Sequence, residues 1–346
     1  MNPCGVFDRS YSEDMAIVRT RFQWGALAAF IIFFYSLPLF APAQILSFIS
    51  LTAITLIVVL GLYVLTGLCG QISVGQAAFM AVGAYTSTIL IAKVGLPFLV
   101  SLVCAGLVAG LIGLIFGLPS LKVKGFYLVV ATIGAQYIIM WIIMHTPSLT
   151  GGPMGMITPP AAIGAMVFQS ERSCFFLIVT ICALLLCFAK NLARTRIGRA
   201  FIAIRDNDLA AEVLGVNVFG YKLLAFFICS FYAGIGGSLF AHYTLRVTSE
   251  WFTLWDSIWY LGMLIVGGMG GIMGAIYGTV VMKGLKEVLS VVGIRVGPLI
   301  GPYIAANLVP IVTSLVIMAF LLFEPRGINH RWEVFKASYR RWPFPY

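Results

Sequence analysis

The sequence predicts an all-α polytopic membrane protein with about ten (8–10) transmembrane helices. Hydrophobic residues make up 61% of the 346 residues and charged residues only 10%, whereas soluble domains contain about 45–50% and about 25%. No Asp, Glu, Lys or Arg lies between Arg21 and Lys93. Such apolar runs can each provide the roughly 20 residues with which a helix crosses a bilayer. They also lack the alternation of apolar and polar residues that is typical of a membrane β-barrel.

The apolar runs predict the helices in chain order. The first seven lie at 23–42, 45–67, 74–92, 98–118, 126–145, 173–189 and 223–243. Residues 190–222 and the tail after Phe323 are both rich in basic residues, so the positive-inside rule places both in the cytoplasm. An even number of spans must then separate them. The apolar run after residue 250 therefore has to be divided, which gives spans at 253–269, 271–290 and 303–323.

Four glycines mark the point of division, because glycine clusters permit broken or re-entrant helices where the backbone is packed in protein. They are Gly267, Gly268, Gly270 and Gly271. The resulting layout has a cytoplasmic N-terminal segment (1–22), a transmembrane domain (23–323) with a cytoplasmic loop (190–222), and a basic cytoplasmic tail (324–346). Both termini are cytoplasmic. Against the positive-inside rule, Lys283, Lys286 and Arg295 fall on the outer side in this layout.

The sequence also narrows the classes of function. The basic residues responsible for the net charge of +10 lie in short loops between apolar runs, where they would orient the protein in the membrane. They therefore do not indicate a nucleic-acid partner. No lysine precedes Ser or Thr, so a P-loop for ATP cannot be present. The seven cysteines show no metal-ligand spacing, and no His, Asp or Glu cluster lies in the apolar runs. We therefore predict a protein that is not an enzyme, has no catalytic or metal-binding residues, and binds no cofactor.

A stand-alone secondary carrier is a less favoured alternative, because such carriers usually keep ionisable residues inside their spans. The candidates in this chain are His145, His242, Lys283, Lys286 and Glu287. For the two histidines, a packing role is the more common one.

The loop 190–222 is the most informative segment. Residues 199–214 favour a helix with Gly215 as its C-cap. Its apolar residues Ile202, Leu209, Val213 and Leu214 lie on one flank, which suits docking into a groove of another protein. An ordinary solvated helix would show the same pattern.

Residues 208–215 resemble the EAA motif of ABC importer permeases, an acidic residue and two alanines followed by glycine. Residues 70–85 resemble the G-x-x-S-x-G-[HQ]-A-A-F…G-A-Y signature of LivM-type permeases for branched-chain amino acids. Residues 150–155, 267–274 and 322–327 resemble the T-G-G loop, the glycine-rich segment and the C-terminal ending of the same family. These motifs occur in family order across residues 66–327.

The resemblance implies an ATP-driven importer of leucine, isoleucine and valine in the bacterial inner membrane. Its implied partners are a sister LivH-type permease, two ATP-binding subunits of LivG/LivF type and a periplasmic amino-acid-binding protein. The ATP-binding subunits would use the ATP and Mg. The same machine could carry urea, short amides or other amino acids, since Gly271 and Met154 depart from the family pattern. The residues implied to couple to the ATP-binding subunits are Arg205, Asp206, Asp208, Ala210, Ala211, Glu212 and Gly215.

Two further groups are candidates for function. Buried polar side chains are costly unless they are hydrogen-bonded, so one group is predicted to line the translocation path or the seam with the sister subunit, with helix packing as the alternative. This group comprises Gly70, Gln71, Ser73, Gly75 and Gln76. The external loop Thr150, Gly151 and Gly152 is predicted either to meet the binding protein or to form a structural turn. Because selectivity would belong to the binding protein, no tight substrate site is expected in this chain.

Overall fold

The structure is a computed structural model that describes residues 21–118, 125–164, 166–300, 302–324 and 326–341. The predicted N-terminal segment therefore lies almost wholly outside the described residues. The helices, numbered in chain order, are α1 (Arg21–Phe40), α2 (Ala43–Leu62), α3 (Gln76–Val94), α4 (Phe98–Gly117), α5 (Phe126–Met144), α6 (Pro147–Thr150), α7 (Glu171–Leu192), α8 (Arg196–Asp206), α9 (Asp208–Val213), α10 (Val218–Thr244), α11 (Leu254–Gly267), α12 (Ile272–Ile300), α13 (Pro302–Phe323) and α14 (Gly327–Arg341).

Three short elements and two strand pairs complete the description. A π-helical turn (Tyr63–Leu68) extends α2, and 3₁₀ turns form at Gly152–Met154 and Ser249–Trp251. The strands are β1 (Met156–Ile157), β2 (Ala161–Ile163), β3 (Met166–Phe168) and β4 (Arg246–Val247). β1 pairs antiparallel with β4, placing Met156 opposite Val247, and β2 pairs with β3 as a hairpin. We call the end of the bundle that carries these strands the β end, and the opposite end the α8–α9 end.

The protein is an all-α, multi-pass membrane protein. Within the described ranges, six helices are long and apolar enough to cross a membrane: Ala43–Leu68, Gln76–Val94, Phe98–Gly117, Tyr127–Met144, Glu171–Leu192 and Val218–Thr244. The number rises to eight if each of two bent helix pairs counts as one span. α11 has 14 residues, about 21 Å of helix, and is too short to cross a bilayer by itself. The count of about ten stays a prediction.

The packed layer of the fold is formed by α3, α4 and α10. α10 lies against both other helices along most of its length, and small residues allow the backbones to approach closely. A Cβ atom on Gly83 would lie 2.1 Å from the carbonyl oxygen of Gly234, and one on Gly237 would lie 1.9 Å from that of Met80. Glycine is therefore required where α3 crosses α10.

α11 and α12 form a helical hairpin whose turn lies in the glycine-rich segment. The chain bends by 118° between Ser249–Gly267 and Ile272–Gly293. A Cβ on Gly267 would lie 1.9 Å from the carbonyl oxygen of Gly274, so these two helices also meet backbone to backbone. The hairpin stands beside α2, and α13 packs against both of its arms.

One sequence prediction is wrong. Residues 199–214 do not form one helix, because α8 ends at Asp206 and α9 begins at Asp208. Between them Asn207 is extended (φ −161°, ψ 107°), and its side chain accepts a hydrogen bond from the backbone N–H of Ala210. Asparagine is a strong N-cap, and this local bond competes with helix continuation.

Candidate functional site

The helices α8 and α9 present an exposed apolar surface at the α8–α9 end. Leu209, Val213 and Leu214 are 66%, 87% and 82% exposed. Glu212 and Ala210 are exposed beside them, whereas Ala211 is buried against the rest of the chain. The break at Asn207 therefore turns the second half of the predicted coupling helix outward, and its apolar residues are available to a partner.

Two side-chain contacts tie this surface to the membrane helices. Arg205 donates a hydrogen bond from Nη1 to the carbonyl oxygen of Gly67 at 2.9 Å, and its Nε and Nη2 both reach Asp206 Oδ1 at 3.1 Å. Lys222, at the start of α10 and 7% exposed, lies 3.4 Å from Asp208 Oδ2. Charge-assisted contacts of this kind fix orientation. Movement of α8 or α9 would therefore be passed directly to α2 and α10.

Gly215 ends α9 as the sequence predicts. It lies at φ +84°, its N–H donates to Glu212 O, and the N–H of Val216 donates to Ala211 O. This pair of bonds is the Schellman arrangement, in which glycine takes the left-handed conformation after a helix. No atom lies within 4 Å of the position that a Cβ would take, so the demand for glycine here comes from the backbone alone.

Of the predicted path residues, Gly70 and Gln71 lie against the same surface. Gly70 has φ +72°, and a Cβ there would lie 2.7 Å from Cγ of Arg205. Gln71 is 6% exposed, and its side-chain oxygen has no hydrogen-bond partner among the described residues. Both line a cavity of about 360 Å³ enclosed by residues 69–72 and residues 204–208. They are placed where the membrane helices meet α8 and α9.

The other three predicted path residues lie inside the bundle. Ser73 and Gln76 are fully buried, and Ser73 Oγ accepts from the N–H of Gly75 at 3.4 Å. Gln76 Nε2 donates to the carbonyl oxygens of Val58 and Cys229 at 3.2 and 3.4 Å. Since Val58 and Cys229 lie near the middle of their own spans, α3 begins deep in the bundle, after an extended segment that returns from the α8–α9 end.

The N-termini of α3 and α11 meet at the buried side chain of Gln136, which was not among the residues predicted from the sequence. Gln136 Oε1 accepts from the N–H of Ala78 at 2.8 Å and from Ser257 Oγ at 3.2 Å, while its Nε2 donates to Phe252 O at 2.9 Å. Ser257 Oγ also accepts from the N–H of Ala77 at 2.9 Å. These bonds satisfy helix N-terminal donors that water cannot reach. The only signal in the sequence is a lone glutamine in an apolar run.

The T-G-G loop is a tight turn at the β end. Thr150 is 7% exposed, and its hydroxyl donates to the carbonyl oxygens of Ile143 and Thr146 at 2.7 and 2.8 Å. Gly151 and Gly152 have φ +72° and +59°, and a Cβ on Gly151 would lie 2.2 Å from Gly155 O. The loop therefore forms a tight turn, and its contact with a binding protein stays a prediction.

The glycine-rich turn between α11 and α12 contacts the C-terminal helix. A Cβ on Gly268, which has φ +105°, would lie 2.7 Å from Arg326 O, and one on Gly271 would lie 3.2 Å from Asn329 Nδ2. Gly270 has open space around it. The turn also touches α2, because a Cβ on Gly67 would lie 2.7 Å from Met269 O. Gly67 is therefore in contact with both Arg205 and this turn.

The two histidines have structural partners. His242 is 3% exposed, with Nε2 2.8 Å from Ser87 Oγ and Nδ1 2.7 Å from Pro159 O. His145 stacks on Trp141 with the ring centroids 4.4 Å apart. Within the described ranges, no group of three or more His, Cys, Asp or Glu residues is placed to hold a metal ion.

Comparison with known proteins gives one family. The family profile described as "Branched-chain amino acid transport system / permease component" matches residues 44–323. No solved structure matches the chain.

Three relatives carry the name LivM. The chain is 34% identical over 245 residues to the high-affinity branched-chain amino acid transport system permease protein LivM of Salmonella typhimurium, covering 64% of this chain and 58% of that protein. It is 32% identical over 268 residues to LivM of Escherichia coli, covering 70% and 63%. A probable LivM of Methanocaldococcus jannaschii is 27% identical over 202 residues, covering 56% and 58%.

The chain thus spans about three fifths of the length of the curated relatives that it matches. The family profile covers most of the present chain, and its match runs from the second residue of α2 to the end of α13, including the exposed helices α8 and α9. The chain belongs to the family of permease components of branched-chain amino acid transport systems.

Proposed function

We propose that this chain is a transmembrane permease subunit of an ATP-driven ABC importer that moves leucine, isoleucine and valine into the cell. The family membership supports the substrate class. The observation that carries the coupling role is the surface of α8 and α9, which exposes Leu209, Val213 and Leu214 to a partner. The same pair of helices is bonded to α2 and α10 through Arg205 and Lys222.

The proposed partners are a sister permease of LivH type, two ATP-binding subunits of LivG/LivF type, and a periplasmic amino-acid-binding protein. ATP and Mg would be bound by the ATP-binding subunits, and this chain would hydrolyse nothing. When those subunits close on ATP, α8 and α9 would move as one body, as in other domain closures. The motion would pass from Arg205 to Gly67, and from Gly67 to the turn at Met269, because these residues are in contact.

The proposed topology has about ten crossings and both termini in the cytoplasm of a bacterium, with the protein in the inner membrane. The transmembrane domain is 23–323, the coupling loop is 190–222, and 324–346 is a basic tail that carries α14. α11 and α12 would count as two crossings joined at the glycine-rich turn, with α11 starting part-way through the bilayer. This start is supported by the bond from Gln136, in the middle of α5, to Phe252. The α8–α9 end is then cytoplasmic and the β end external.

The proposed path reaches the cytoplasm beside Gly70 and Gln71, which line the cavity next to α8 and α9. Ser73, Gly75 and Gln76 would hold the buried start of α3, and Gln76 does so by bonds to α2 and α10. Urea, short amides or other amino acids are the alternative cargo for the same machine.

The test is uptake of radiolabelled leucine into proteoliposomes that contain this chain, the sister permease and the two ATP-binding subunits. The candidate binding protein is added outside, with and without internal ATP. Uptake that requires both ATP and binding protein is expected. Uptake by this chain alone, driven by a proton or sodium gradient, would instead identify a secondary carrier, and transport of urea in place of leucine would change the cargo.

The coupling role is tested in the same assay by Glu212→Lys and by replacing Gly215 with a bulky residue. Both positions are exposed, so we expect membrane insertion to persist while ATP-dependent uptake is lost. Glu333→Lys makes the same charge change at an exposed position of α14, where it removes one hydrogen bond from Asn329, and serves as the matched control. Normal uptake by both loop variants would contradict the coupling assignment.

A further inference from the structure

α12 carries a polar face that a helix in contact with lipid would not have. Lys283, Lys286, Glu287 and Ser290 follow the spacing i, i+3, i+4 and i+7 and so lie on one side of the helix. Charged side chains within a membrane are costly, and they usually face a water-filled cavity or the interior of a bundle. In the predicted topology, Lys283 and Lys286 fall on the outer side, against the positive-inside rule. In the structure they face other charges.

The carboxylates of Glu250 and Asp256 lie across from this face, near the start of α11. Asp256 caps its own helix, accepting from the N–H and the hydroxyl of Thr253 at 3.0 and 2.6 Å, both at Oδ2. Its Oδ1 has no hydrogen bond among the described residues. Lys283 interacts electrostatically with Lys286, which repels it, and with Asp256 and Glu287, which attract it. Within the described part of the chain, however, it forms no hydrogen bond and no ion pair at bonding distance.

A cavity of about 370 Å³ separates these groups, and we call it the charged chamber. Its polar lining includes Glu250, Asp256, Lys283 and Lys286. Its apolar lining comes from the opposite helices and includes Leu51, Ile54, Met80 and Phe240. A volume of this size, with an apolar wall and a few convergent polar groups, is typical of a small-molecule site.

The charged chamber adjoins a second cavity toward the β end. That cavity, of about 580 Å³, shares Leu51, Lys283 and Lys286 with the chamber and extends to Gln44 and Glu171, near the starts of α2 and α7. The starts of α2 and α7 lie at the β end, since Tyr243 near the end of α10 bonds to both Ser47 and Glu171. The chamber therefore has a polar approach from the side that the proposed topology makes external.

We propose that the charged chamber is a transit site that binds a zwitterionic α-amino acid with an aliphatic side chain. The chamber is lined by groups of both signs, whereas a site for a simple anion or a simple cation would need only one. Lys283 and Lys286 would receive the carboxylate. Asp256 Oδ1 and Glu250 would receive the ammonium group, and the wall of Leu51, Ile54, Met80 and Phe240 would receive the side chain.

This assignment rests on the proposed function for its cargo, but it differs from the expectation that the permease has no site of its own. The contrast with Lys222 supports it. That lysine is also partly enclosed by the bundle, yet it is paired with Asp208. An ionisable residue that lies within a membrane bundle, beside a cavity and without such an ion pair, is a candidate for a functional role.

The test uses photo-leucine, a diazirine analogue of leucine, which records weak binding by covalent labelling. The reconstituted complex is irradiated with the probe in the absence of binding protein and ATP, and the labelled peptides are identified by mass spectrometry. Because the diazirine lies in the side chain of the probe, we expect labelling at the apolar wall, in the segments of α2, α3 and α10 that carry Leu51, Ile54, Met80 and Phe240. Excess L-leucine should compete with it. 4-Methylpentanoate, which lacks the ammonium group, and 3-methylbutylamine, which lacks the carboxylate, should not.

Substitutions locate the charges. Lys283→Met and Lys286→Met are each expected to reduce labelling about tenfold, through loss of a charge-assisted contact. Lys283→Arg keeps the charge and should restore most of the labelling. Lys336→Met, on the exposed face of α14, is the matched control and should label as the unmodified protein does.

The proposal is overturned if the acid or the amine competes as well as leucine, if both lysine variants label normally, or if the label lies outside the chamber. The charges would then belong to a seam with another subunit. Failure of the proposed function is a separate outcome, since it would appear as a lack of ATP-dependent leucine uptake by the unmodified complex, whatever the labelling result.

Discussion

The packed layer of α3, α4 and α10 and the charged chamber beside α12 differ in how closely they are packed and in how their polar groups are used. In the packed layer, backbones meet at glycines and hydroxyl groups bond to one another, as Ser87 does with Ser101 and Ser238 at 3.0 and 2.8 Å. In the chamber, side chains of both charges face open space. The first region leaves no room for a solute and little for movement. The second has room and charged side chains, of which Lys283 has no partner at bonding distance among the described residues. Our proposal therefore assigns transport to the chamber and support of the fold to the packed layer.

The largest effect is expected from adding one carbon atom to the packed layer. Gly83→Ala places a Cβ 2.1 Å from the carbonyl oxygen of Gly234, and the obstacle is backbone, which cannot rotate away. Overpacking of a core costs about 1–3 kcal/mol and more where backbone must move. We expect a loss of about 3 kcal/mol or more, seen as a low yield of monodisperse protein and a fall in the thermal unfolding midpoint.

Gly134→Ala is the matched control for that experiment. The position lies in α5, and no atom is within 4 Å of its added Cβ. The unfolding midpoint should stay the same or rise slightly, because alanine favours the helix. If Gly83→Ala were as stable as Gly134→Ala, the close contact of α3 with α10 would be wrong.

A smaller effect on stability should distinguish Lys222 from Lys283, the two lysines that the bundle partly encloses. Lys222→Met removes a positive charge that lies 3.4 Å from the partly buried carboxylate of Asp208. We expect a loss of about 2 kcal/mol, below the range for fully buried pairs because Asp208 is partly exposed. Lys283→Met removes a charge that has no bonded partner among the described residues, so the unfolding midpoint should not fall.

Measuring uptake together with thermal unfolding for Lys222→Met and Lys283→Met distinguishes an effect on transport from an effect on stability. Lys283→Met should leave stability intact while uptake falls, and Lys222→Met should lower both. A clear fall in the unfolding midpoint of Lys283→Met would mean that this lysine holds the fold together, and the distinction between the two regions would fail.

The packed layer was largely predictable from the sequence. The predicted spans 74–92 and 98–118 differ from α3 and α4 by at most two residues at either end, because uncharged runs bounded by Gly, Pro or Lys specify both the helix and its ends. The small residues of 70–85 predicted close approach, which Gly83 makes. The predicted helix 199–214 failed at Asn207, because a single side-chain bond to Ala210 outweighed helix propensity.

The chamber was not predictable for a different reason. Composition gives the length of a span, but it does not give the depth at which a helix starts. α11 starts beside Gln136, in the middle of α5, because that glutamine bonds to Phe252 and Ser257. This contact brings Asp256 inward to face Lys283, whereas the sequence alone placed the two charges in separate parts of the chain. Gln136, Asp256 and Glu250 were missed because each is a single polar residue with no motif around it.

The smallest effect is expected at Gly284 in α12, which lies six positions from the closely packed Gly278 on the same helix. Gly284 is next to Lys283, and no atom is within 4 Å of its added Cβ, whereas a Cβ on Gly278 would lie 1.9 Å from Met263 O. Gly284→Ala should therefore be neutral or raise stability by up to about 1 kcal/mol, the difference in helix propensity between the two residues. Gly278→Ala, the matched substitution against α11, should lower the unfolding midpoint clearly. Equal losses from both would mean that the outer half of α12 is packed as tightly as its inner half, against the open space that the structure shows at Gly284.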